Sequence, residues 1–111
     1  MKTIYKYKLN YTNVPEIIRL PLGATIVDYG VKNKQVFIWA LVDTKKEIEK
    51  RVFVLAFTGQ EIPWKIVKSY GSRIIAESGI VIHLLELIDV KEGSGELLAN
   101  DPEKDERLNE K

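Results

Sequence analysis

The chain has 111 residues, of which 45% are hydrophobic and 9% aromatic, enough for one packed core and too apolar for a disordered chain. It has no cysteine, which excludes a disulfide framework, a zinc ribbon and a thiol nucleophile. The formal charge of +1 divides unevenly: residues 1–90 hold 13 basic and 9 acidic groups and residues 91–111 hold 4 and 7, so a body of +4 precedes a tail of −3. Such a body suits anionic ligands but lacks the clustered basic surface of a duplex-binding protein.

The first expected strand is Ile4 to Leu9, with Tyr5, Tyr7 and Leu9 on one face and Lys6 and Lys8 on the other. This alternation is unlike the continuous apolar stretch of a signal peptide. Asn10 to Asn13 supplies turn residues, and Glu16 to Leu20 reads as an edge strand because Pro15 and Pro21 bracket it. Ala24 to Val31 and Gln35 to Asp43 form the strongest hairpin signal, joined by Lys32-Asn33-Lys34, where Asn tolerates a left-handed backbone.

The longest apolar run, Val36 to Val42, has seven residues, too few to cross a bilayer as a helix. From that N-terminal pattern and the shortness of this run, the chain is expected in the cytoplasm. Both faces of Gln35 to Asp43 are apolar, so a central strand covered on two sides is expected, with Trp39 in the core. The charged link Thr44 to Arg51 reads as a solvated hairpin loop. Val52 to Phe57 is again apolar on both faces, and Thr58-Gly59-Gln60 ends it in a turn.

Trp64 to Tyr70 alternates, and Gly71-Ser72 bulges it before Arg73 to Ala76. The last strand runs from Gly79 or Ile80 to about Ile88. After Asp89 the composition turns polar through Gly93-Ser94-Gly95, so residues 1–90 are expected to be one β-rich domain and residues 91–111 a mobile tail. Some six or seven short strands joined by turns predict an all-β antiparallel sandwich or small barrel.

His83 is the single histidine. It lies mid-strand on the face of Val81, Leu85 and Leu87, the usual place of a hydrogen-bonded core or interface histidine rather than a general base. The acidic side chains of the body are scattered, so neither metal nor other cofactor is expected. Phosphate-loop and dinucleotide signatures are missing.

One stretch gathers binding chemistry. Thr58-Gly59 and Tyr70-Gly71-Ser72 place glycine beside hydroxyl groups at strand breaks, Lys68 and Arg73 add positive charge, and Trp64 and Tyr70 offer stacking faces. Glycines let a ligand approach the backbone, N–H and hydroxyl groups suit phosphate oxygens, and aromatic faces suit a base. A small domain offers a shallow pocket, so a homo-oligomer enclosing the ligand is expected.

The blocks Tyr5-Lys6-Tyr7-Lys8-Leu9, Leu20-Pro21-Leu22-Gly23-Ala24, Trp39-Ala40-Leu41-Val42-Asp43, Phe57-Thr58-Gly59, Tyr70-Gly71-Ser72 and Ile82-His83-Leu84-Leu85-Glu86 occur in this order. In that order they resemble a family of small, mostly bacteriophage-encoded proteins of unknown function, over about residues 4–87. The resemblance implies an accessory protein expressed in the host cytoplasm that inhibits or sequesters a host component, such as a nucleotide immune signal. Two non-enzymatic classes follow: capture of a small anionic ligand, or a protein-interaction or virion-associated module acting on a host protein through a surface or strand edge.

Overall fold

A computed structural model of the chain describes residues 1–88. It is an antiparallel β-sandwich of seven strands: β1 Lys2–Leu9, β2 Glu16–Pro21, β3 Thr25–Lys32, β4 Gln35–Asp43, β5 Ile48–Phe57, β6 Ile66–Ile74 and β7 Val81–Leu87. Sheet A has the order β1-β4-β3 and sheet B the order β2-β5-β7-β6. The architecture settles the choice between sandwich and barrel. The boundary at residue 90 and the tail over 91–111 lie outside the described residues.

Period-two alternation builds the core. Tyr5, Tyr7 and Leu9 of β1, Val36, Ile38, Ala40 and Val42 of β4, and Ile26 and Tyr29 of β3 turn their side chains inward from sheet A. Ile18, Leu20, Phe53, Leu55, Ile82 and Leu84 meet them from sheet B. Each Val, Leu, Ile or Phe of this layer contributes about 1.5–3 kcal/mol when fully buried, which makes the layer the main source of stability.

A smaller cluster lies on the outer face of sheet B, where Ile17, Val52, Val54, Ala56, Leu85 and Leu87 are buried beneath Ile62 and Trp64. This second layer explains why β5 is apolar on both faces. The bracketed β2 is an edge strand, as its prolines require. The β3–β4 hairpin closes on Asn33 and Lys34, with φ of 53° and 62°, the two left-handed residues of a tight turn that follows the strand twist.

Three local expectations are corrected. The stretch Thr44 to Arg51 is not a hairpin loop: Ile48 to Arg51 already belongs to β5 and pairs with β2, while β4 lies in the other sheet. Exposure alternates along Ile48 to Arg51, but the three consecutive charged residues Glu49, Lys50 and Arg51 masked that period. Although β4 is central in its sheet, only one of its faces is covered. Val36, Ile38, Ala40 and Val42 are buried, whereas Phe37 and Trp39 are half-buried and Leu41 is exposed, so Trp39 is not core. No described element packs over that outer face.

Candidate functional site

The expected binding stretch is divided among three places. Thr58 and Gly59 end β5 on the outer side of sheet B, where Thr58 Oγ1 lies 2.8 Å from His83 Nε2. Ser72 pairs with His83 across the ladder, so these three chemical groups share one region. His83 is half-buried rather than core, and the hydroxyl of Thr58 satisfies one ring nitrogen. Trp64 packs against the outer cluster and is half-covered by doing so.

Tyr70 turns inward instead. Its hydroxyl donates to Glu86 Oε1 at 2.7 Å, and its ring lies 6.3 Å from that of Phe53. Lys68 Nζ lies 5.4 Å from the Tyr70 ring centroid. Glu86 also accepts two bonds from Arg51, Nε to Oε2 at 2.7 Å and Nη2 to Oε1 at 3.0 Å, while Arg51 Nη1 donates to Ala24 O at 2.7 Å. This network joins three strands of sheet B to the segment leading into β3.

Burial alone would raise the Glu86 carboxyl, but the hydrogen bonds from Arg51 and Tyr70 and the charge of Arg51 prevail and hold it below the ordinary carboxylate value. Burial, then the bond to Glu86, pushes the Tyr70 phenol up to about 12. With every polar atom turned toward another member, the network is a fastening of the sandwich rather than a ligand site. Its partners are 16 and 35 residues away from Glu86 in sequence, so no local motif announces it.

Gly71 sits in the β6 bulge with φ of 91°, and its carbonyl accepts the Tyr29 hydroxyl at 2.8 Å. Arg73, beyond the bulge, pairs with Asp28 and donates from Nη1 to Ser72 O at 2.8 Å. Its guanidinium carbon lies 4.5 Å from the Tyr29 ring centroid. Lys68 and Arg73 therefore occupy different sites, separated by the bulge.

Arg73 is the member of the expected stretch that reaches a cleft. That cleft, of about 1000 Å³, opens between the β3–β4 turn and the β6–β7 loop and is lined by Tyr11, residues 30–34, residues 73–78 and Ile80. Val31, Ile74, Ile75 and Ile80 give it apolar walls, Lys32 and Lys34 give it positive charge, and Arg73, whose charge is already paired with Asp28, lines it with one acid, Glu77. Lys32 and Lys34 form no ion pair with a described residue. An apolar wall beside lysines suits an amphipathic anion. Sequence reading missed Lys32, Lys34 and Tyr11 because the cleft is assembled from three separate segments; the left-handed turn at Asn33 was the only local signal.

Among the described residues no three histidine, cysteine, aspartate or glutamate side chains gather as a metal site. No helix there is long and apolar enough to cross a membrane.

No curated protein and no solved structure gives a significant match to the chain. One family does match, over residues 1–94, under the description "Domain of unknown function (DUF7352)". Since that match spans all seven strands and most of the sequence, the chain belongs to this family of domains.

Proposed function

We propose that the protein is a non-enzymatic binding module that captures a small amphipathic anion, a mononucleotide or cyclic nucleotide, in the cleft between the β3–β4 turn and the β6–β7 loop. The observation supporting this is the placement of Lys32, Lys34 and Arg73 around walls formed by Val31, Ile75 and Tyr11. Lysines attract the phosphate, Tyr11 offers a ring face and the isoleucines exclude water. Because the cleft is open to solvent, a second copy closes it over the ligand, giving a ligand-linked homo-oligomer. An accessory role for a bacteriophage in the host cytoplasm, sequestering a nucleotide immune signal, belongs to the same reading and rests on the resemblance to phage proteins.

Titration calorimetry against a panel of mononucleotides and cyclic nucleotides tests the proposal. Binding is expected for at least one of them, weakened at least tenfold, about 1.4 kcal/mol, by the double substitution Lys32→Ala/Lys34→Ala. Lys68→Ala is expected to leave it unchanged. Heat from none of the panel would discard the cleft reading. A protein-interaction or virion-associated module would then lead, favoured by the outermost strand β6, where Ile66, Val67 and Ile74 are exposed beside an open edge.

A further inference from the structure

The outer face of sheet A is uncovered among the described residues, and its composition is specific. Along β4, Phe37, Trp39 and Leu41 stand opposite Lys8, Lys6 and Ile4 of β1. On the other side the same three residues stand opposite Gly30, Asp28 and Thr25 of β3. The Phe37 and Trp39 ring centroids are 6.4 Å apart at an interplanar angle of 42°. Gly30 lies beside the indole: a Cβ there would make ordinary contact with the Trp39 ring, at 3.7 Å. The Lys6 ammonium lies 4.7 Å from the Phe37 centroid.

Among the described residues this face carries more lysines than acids, and its two described acids are engaged, Asp28 by Arg73 and Asp43 by the N-terminal ammonium at 3.4 Å. Lys2, Lys6 and Lys8 project from β1 beside the aromatic strip, the last two repeating every second residue, about 6.8 Å along a strand.

We infer that this face binds single-stranded nucleic acid, with bases stacked on Phe37 and Trp39 and the phosphate backbone along Lys2, Lys6 and Lys8. Lysines alone would serve any acidic chain. Half-buried rings set beside a lysine row select a ligand whose planar faces alternate with negative charge. A flat sheet face has no protruding element to enter a duplex groove. A second copy on a two-fold axis across the strands would set one lysine row against another, and one on an axis along β4 would lay that row on β3, whose acid, Asp28, is already paired with Arg73.

Fluorescence anisotropy of a labelled oligothymidylate of about fifteen nucleotides, at about 50 mM and about 200 mM salt, tests the inference on the full chain. Binding at low salt is expected, falling at least tenfold at the higher salt and at least tenfold in Lys6→Glu/Lys8→Glu. The same charge change on sheet B and its outer loop, Lys50→Glu/Lys65→Glu, is expected to alter it less than twofold. Trp39→Leu is expected to weaken binding at least fivefold with its thermal transition retained; should that variant unfold, Phe37→Leu takes its place under the same expectation. No binding, equal loss from both lysine pairs, or indifference to removal of the ring would overturn the inference. Displacement of the oligonucleotide by polyglutamate as readily as by unlabelled oligothymidylate would assign the face to acidic polypeptides instead. A dimer in sedimentation that Trp39→Leu dissolves would assign it to a second copy.

Discussion

Arg51 and Glu86 illustrate how much one buried pair decides. Their side chains are 16% and 11% exposed, so removing one partner strands a charge that has already lost its water. Arg51→Met is therefore expected to cost about 3 kcal/mol or more, whereas the double variant Arg51→Met/Glu86→Leu should recover much of the loss; urea unfolding of the set measures both. The pH dependence has a definite sign. The Glu86 carboxyl is lowered on folding, so its contribution is complete above the unfolded value of about 4.3 and is lost as pH falls through the lowered folded value. The stability gap between the native sequence and Glu86→Gln should accordingly shrink across that acid range. Tyr70 gives the alkaline counterpart. Its phenol is raised to about 12, so the stability tied to it is present below about pH 10 and fades as pH rises through the folded value. A phenolate absorbance titration in which Tyr70→Phe leaves the last alkaline step unchanged would contradict this assignment.

At the scale of elements, β6 turns on its bulge. Gly71 has φ of 91°, and a Cβ added there would meet only Arg73 Nη1, at 3.8 Å. The cost of Gly71→Ala is therefore backbone strain, about 1–2 kcal/mol. Gly30→Ala meets ordinary contact with Trp39 and no positive φ, so it should change stability by less than about 0.5 kcal/mol. Chemical denaturation that ranks the two in the opposite order would refute the argument. The bulge was legible because Gly71-Ser72 interrupts an alternating run, and the β3–β4 turn because Asn33 accepts a left-handed backbone. The start of β5 was hidden by its charges, since pairing with β2 is a non-local cause. Apolar side chains on both faces of β4 could not reveal which face finds a cover, because that depends on where β5 goes next. The candidate site was legible only at Arg73. Neighbours in a bulged strand send their side chains to different places, so a cluster in sequence need not become a cluster in space.

For the whole molecule, the order of the strands couples the two sheets. The chain enters sheet A with β1, crosses to sheet B with β2, returns for β3 and β4, and crosses again for β5 to β7. Neither sheet can be completed by one continuous segment, and Lys2 must find Asp43 before β1 is paired along its length. Such non-local pairing makes folding slow, on the order of milliseconds to seconds. It also makes folding cooperative, because the inner faces of both sheets form one core. The two tryptophans report on this separately: Trp39 lies on the outer face of sheet A and Trp64 covers the outer face of sheet B. In the single-tryptophan variants Trp64→Phe and Trp39→Phe, fluorescence should give the same urea midpoint as far-ultraviolet circular dichroism of the same variant. The midpoints of the two variants are expected to differ from each other, since Trp64 contributes apolar cover that phenylalanine only partly replaces, so the comparison is made within each protein. If fluorescence of the Trp64 reporter changes at lower urea than the dichroism, the outer layer of sheet B loosens before the common core, and the sandwich is two cooperative units rather than one.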